Sequence, residues 1–179
     1  MPGAFGVSAC MVEIYVDADA CPVKDEVVRV ATRHDLKTYM VSDGGIRPSQ
    51  SALVELVIVD QGPDAADDWI ADHIQKTDIC ITNDIPLAAR CLERGALALK
   101  PNGEPFTEDG IGMALANREL MQDLRESGEI TGGPRPFRKS DRSAFLNHLE
   151  TTVQTAKRQS GGTKNLRRHS QLERQSNVT

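Results

Sequence analysis

Short apolar runs alternate along this chain with longer stretches in which apolar residues return every three or four positions. The run from Val12 to Val16 leads into Asp17 and predicts a strand over 12–17, nearly continuous in the manner of strands buried on both faces. Pro22 suits the first turn of a helix, and Val23, Val27, Val28, Val30 and Ala31 supply its apolar stripe to about His34. Strands are predicted over 37–42 and 54–60, with a loop over 43–48. The turn Gly62-Pro63-Asp64 opens a helix over 65–76, with Asp64 a candidate N-cap. A fourth strand, 78–82, feeds a helix that starts near Asn83 or Asp84 and stops at Gly95. A fifth strand follows over 96–100, then a loop over 101–109.

Ile111, Met113, Ala114, Leu115, Leu120, Met121 and Leu124 lie at helical spacing up to about Gly128. A rigid Gly/Pro-rich loop over 132–136 precedes a last helix with Phe145, Leu146, Leu149 and Val153 on one face. Strands alternating with helices predict an α/β fold: three layers around a doubly wound, mainly parallel sheet. The predicted organisation is a loose leader over 1–11, one domain over 12–155, and a basic, disordered tail over 156–179, whose apolar content is too low to fold.

Composition narrows the function less than charge does. At 179 residues the chain has enough length for one core, and its 4% aromatic content argues against a broad base-stacking surface. The net charge of -5 conceals an acidic body, with 11 Lys+Arg against 23 Asp+Glu up to residue 134, and a basic remainder with 10 against 3. Such a chain can hold a cation in one part and a polyanion with the other, although ordinary solvated surface charge gives the same numbers. Cys10, Cys21, Cys80 and Cys91 form no CxxC pair, and the opening residues lack a basic start and a long apolar stretch. No run approaches the roughly 20 apolar residues of a bilayer span. A cytoplasmic protein with no membrane association is expected.

The chemistry gathers on aspartates. Asp17 and Asp19 end the first strand, and residues two apart in an extended segment point the same way, so both can reach one ion. Capping of the next helix is the alternative, and it explains Asp19 better than Asp17. Asp67, Asp68 and Asp72 lie on the helix after the third strand, where acidic residues near a first turn also serve as dipole partners. Asp84 follows Thr82-Asn83 at the end of the fourth strand and is equally explained as an N-cap. Carboxylates delivered to one rim of a parallel sheet repel one another unless a cation neutralises them. With oxygen donors and only scattered histidines (His34, His73, His148), Mg²⁺ or Mn²⁺ is favoured over zinc. Cys21 before a helix N-terminus is a weak nucleophile candidate, with no histidine base near it in sequence.

Asp17-Ala18-Asp19-Ala20-Cys21-Pro22-Val23-Lys24, Gly62-Pro63-Asp64-Ala65-Ala66-Asp67-Asp68-Trp69-Ile70, Thr82-Asn83-Asp84-Ile85-Pro86-Leu87-Ala88 and Gly132-Gly133-Pro134-Arg135-Pro136-Phe137 together resemble the YaiI/YqxD family, over roughly residues 11–155. That bacterial family has no assigned function and is in turn similar to PIN-like domains, metal-dependent nucleases with four acidic residues on a parallel sheet. The resemblance implies catalytic, metal-holding roles for Asp17, Asp67 and Asp84, and the placement of Asp19 and Asp68 beside them makes these two further candidate metal ligands. The fourth acid would be Glu104 or Asp109.

Three functions follow as expectations. In the first, a Mg²⁺- or Mn²⁺-dependent nuclease cleaves RNA or DNA phosphodiesters while Arg135, Arg138, Lys139 and Arg142 track the backbone. In the second, a PIN-like domain binds nucleic acid or protein without hydrolysis. In the third, an Asp-x-Asp phosphatase uses Asp17 as nucleophile, although no lysine stands where that chemistry needs one. Neither a GxGxxG nor a P-loop motif occurs.

Overall fold

Six strands form one sheet in the order β3-β2-β1-β4-β5-β6. They are β1 (Ile14–Asp17), β2 (Thr38–Ser42), β3 (Val54–Ile58), β4 (Ile79–Ile81), β5 (Leu97–Leu99) and β6 (Pro105–Phe106). Helices α1 (Lys24–His34), α2 (Ala65–His73), α3 (Ile85–Glu93), α4 (Glu108–Glu126) and α5 (Lys139–Gln175) complete the chain. The structure, a computed structural model, describes residues 11–19, 21–133 and 135–175, with side chains through Gly161. Most of the predicted leader and the end of the predicted tail lie outside the described residues.

The first five strands are parallel and β6 is antiparallel to β5. Side-chain alternation along β1 divides the core. Ile14 and Val16 join the cluster under α1 and α5, whereas Tyr15 joins the cluster under α2 and α3. This is the expected three-layer α/β arrangement. Phe145, Leu149, Val153 and Ala156, spaced along one face of α5, are all fully buried against the sheet. Among the described residues no helix is long and apolar enough to cross a membrane.

Three boundaries differ from expectation. The loop predicted over 101–109 contains β6, a two-residue strand too short to leave a periodic signal. The helix predicted to residue 76 stops at His73, because Ile74 is already extended and Thr77 adopts a left-handed φ of 73°. The tail predicted from residue 156 is instead helical to Gln175, with Ala156 part of the core. A helix already anchored by Phe145, Leu149 and Val153 needs no new nucleus, so weak propensity suffices to continue it.

Winding reverses between β1 and β4: from β1 the chain moves outward through β2 and β3, then crosses back to β4 on the other side. Outside the carboxyl ends of the strands flanking such a reversal, open α/β sheets form their ligand crevice. Here those ends carry Asp17 and Thr82.

Candidate functional site

Thr82 ties the rim together. Its hydroxyl donates to Asp17 Oδ2 at 3.1 Å and accepts from the Asp84 backbone N–H at 2.9 Å. One hydroxyl therefore links the end of β1 to the start of α3. Thr82 is itself only 1% exposed, so the linkage is rigid. Asp84 caps α3, its Oδ1 accepting from the Leu87 N–H at 2.8 Å, with Pro86 in the first turn. Capping is thus a role of Asp84, and it leaves the second carboxylate oxygen to the rim.

Asp17, Asp67 and Asp84 lie within electrostatic reach of one another. Burial pushes the Asp67 carboxyl up to about 6, helped by the charges of Asp84, Asp17 and Asp64. Burial also raises Asp17; the Thr82 hydroxyl opposes that shift, while Asp19 and Asp84 add to it. Three elements, β1, α2 and the β4–α3 junction, thus bring like charges together where they disfavour ionisation of Asp17 and Asp67.

The other predicted ligands have hydrogen-bond or ion-pair partners of their own or stand exposed. Asp19 is exposed and accepts from the Ser42 hydroxyl and the Asp43 N–H at the end of β2. Asp68 pairs with Arg90 at 2.8 Å. Glu104 pairs with Lys100, which holds its carboxyl below the usual range, and Asp109 is exposed in the first turn of α4. The fourth neighbour of the cluster is instead Asp64, whose side chain makes no capping hydrogen bond. Cys21 is buried and its thiol is pushed up to about 11 by that burial, which keeps it protonated and disarms it as a nucleophile.

Among the described residues, no group of three or more His, Cys, Asp or Glu is placed to hold one ion. That arrangement does not suit zinc or calcium, which take closed sets of protein ligands. What the rim offers is two carboxylates, Asp17 and Asp84, each held in place by a hydrogen bond from the fold.

A cleft of about 1040 Å³ opens beside the rim, with Asp84 and Ile85 on the sheet side and Arg118, Met121 and Arg125 of α4 opposite. Asp17 and Asp67 lie outside its lining, so the acidic group meets the cleft through Asp84 and Asp19. Of the basic residues expected to track a backbone, Arg135 lines the cleft but makes a double contact with Asp141 at 3.0 and 3.1 Å. Arg142 is tied to Glu26 and to the Pro22 carbonyl. Arg138 and Lys139 stand at the entry to α5, outside the lining. Sequence reasoning missed Arg118 and Arg125, although their seven-residue spacing places them two turns apart on one face with Ala114 and Met121.

Residues 15–155 match the family described as Uncharacterized BCR, YaiI/YqxD. The chain belongs to the YaiI/YqxD family. Its relatives include a UPF0178 protein of Parvibaculum lavamentivorans, 60% identical over 148 residues that cover 83% of this chain and 97% of the relative. A UPF0178 protein of Paramagnetospirillum magneticum is 56% identical over 148 residues, covering 83% and 98%. One from Bradyrhizobium is 55% identical over 148 residues, covering 83% and 90%. No solved structure matches the chain. The YaiI/YqxD match ends at residue 155, next to the buried Ala156 of α5.

Proposed function

We propose that this protein is a Mg²⁺- or Mn²⁺-dependent phosphodiesterase of PIN-like character that acts on nucleic acid. The observation that carries the reading is the meeting of Asp17, Asp67 and Asp84, from three separate elements, at the topological switch point. Carboxylates that repel one another there without a compensating cation are a stored preference for one.

Asp17 and Asp84 would hold the ion, the first oriented by Thr82 and the second by the Leu87 N–H. A divalent ion so held supplies an activated water and offsets charge on the phosphate. Asp67, within electrostatic reach of both, would complete the acidic set around the ion. The cleft admits the phosphodiester beside Asp84. Three free, buried cysteines accord with a reducing, cytoplasmic setting.

The phosphatase alternative draws less support. Lys24, which favours the Asp17 carboxylate, spends its hydrogen bond on the Cys21 carbonyl. Binding without hydrolysis remains the second reading, favoured by the lack of a three-ligand set among the described residues.

Thermal melting with and without Mn²⁺ tests the proposal. At about 100 times its dissociation constant, an ion that binds only the folded state adds about 2.7 kcal/mol. The wild type should melt several degrees higher with Mn²⁺, and Asp84→Asn should lose most of that shift. A wild-type curve indifferent to the ion rejects the metal-dependent reading and leaves binding alone.

A further inference from the structure

We infer that Arg118 and Arg125 of α4 form a backbone-binding track for single-stranded nucleic acid, and that the basic start of α5 does not. Both arginines line the cleft that Asp84 also lines. Both residues are exposed, and among the described residues neither takes part in an ion pair or hydrogen bond through its side chain. By contrast Arg135 and Arg142 are already neutralised by Asp141 and Glu26. An arginine pair two helical turns apart, about 10 Å along the axis, can meet two phosphates of one strand.

The rest of the cleft says what kind of polyanion. The same cleft is lined by Ile85, Met121 and Phe137, apolar surface that inorganic polyphosphate has no use for. Phe137, whose ring has Arg142 over it at 5.3 Å, offers a place for one unpaired base to stack, as single-strand binders exploit, while Ile85 and Met121 only exclude water. A volume of about 1040 Å³ exceeds what one small ligand needs and leaves room for consecutive nucleotides. Α strand lying along α4 would bring a phosphate towards Asp84. The inference thus extends the phosphodiesterase reading by naming the residues that hold the substrate.

Its test does not depend on chemistry. Binding of a fluorescein-labelled oligouridylate to the full chain is followed by anisotropy in EDTA over a salt series. Each arginine contacting a phosphate of a single strand contributes about 0.7 to the slope of log K against log salt. Arg118→Ala and Arg125→Ala should each reduce the slope by about that amount, and the double variant by about twice as much. Lys37→Ala, a substitution at the opposite rim where Lys37 pairs with Glu55, should leave the slope unchanged. Both arginines are exposed, so circular dichroism should show the variants folded. Unchanged slopes in both variants, no binding by the wild type at low salt, or equal binding of a duplex would each overturn the inference. Reduced slopes without any Mn²⁺-dependent cleavage would uphold the track and count against the phosphodiesterase reading alone.

Discussion

Asp17→Asn should lower Mn²⁺-dependent cleavage about a hundredfold or more while melting at a higher temperature than the wild type at pH 7. The two effects share one cause. Burial at the end of β1, together with Asp19 and Asp84, lifts the Asp17 pKa, and the same forces lift Asp67 to about 6. The folded protein therefore binds these protons more readily than the unfolded chain. Stability contributed by the protonated forms is complete below about pH 4 and is lost as pH rises, through about 6 for Asp67. Asparagine imitates the protonated acid in shape, keeps an acceptor for the Thr82 hydroxyl and carries no charge. For the half-buried Asp67, a shift of about two units discounted for solvent screening gives Asp67→Asn a gain of about 1 kcal/mol at pH 7, vanishing near pH 4. Cleavage moves the other way, because an ion that stabilises the transition state by several kcal/mol loses a ligand, and each 1.36 kcal/mol is tenfold in rate. Parallel melting at pH 4 and 7 with a Mn²⁺-dependent cleavage assay checks both signs. Full activity in Asp17→Asn would remove Asp17 from the chemistry.

Gly103→Ala should cost about 2–5 kcal/mol in urea unfolding, one of the largest losses expected from adding a single methyl group. Gly103 adopts a φ of +94°, which L side chains rarely take, and a Cβ there would stand 2.9 Å from the Ala144 carbonyl carbon and oxygen. Strained φ and overpacking each cost about 1–3 kcal/mol. The contact cannot be relieved by a rotamer change, because Ala144 presents backbone and its neighbour Phe145 is fully buried. Pro101 and Asn102 border the cleft, so a displaced loop should also weaken oligonucleotide binding. By comparison, Gly133 has nothing within 4 Å of its would-be Cβ, and Gly133→Ala serves as the neutral control.

Five strands and the helices between them were legible because buried parallel strands leave compact apolar runs and their crossovers leave a helical period. What depends on two residues, such as β6, leaves no period to read. The candidate acidic rim was legible only as single residues. Asp17 and Asp84 announce themselves by ending apolar runs, and Asp67 follows from the family resemblance. The departures are all tertiary. Arg142 looks like a free cation until the fold sets it against Glu26, 116 residues away in sequence. Asp68 reads as part of an acidic cluster until α3 brings Arg90 across to it. Asp64 reads as a cap, yet its charge is felt by Asp67. Arg118 and Arg125 carried their spacing openly, but only the cleft separates that spacing from ordinary surface charge.

Helix α4 has no buried side chain in its 19 residues, and Met113 and Leu120 stand 68% and 56% exposed. Its anchorage is therefore shallow, while the opposite side of the groove is pinned by the Thr82 linkage into the densest part of the sheet. Elements with few buried apolar contacts open at small free-energy cost. The groove has one rigid jaw, bearing the acids, and one compliant jaw, bearing the arginines. A change in the width of the groove would thus leave the carboxylates where they are.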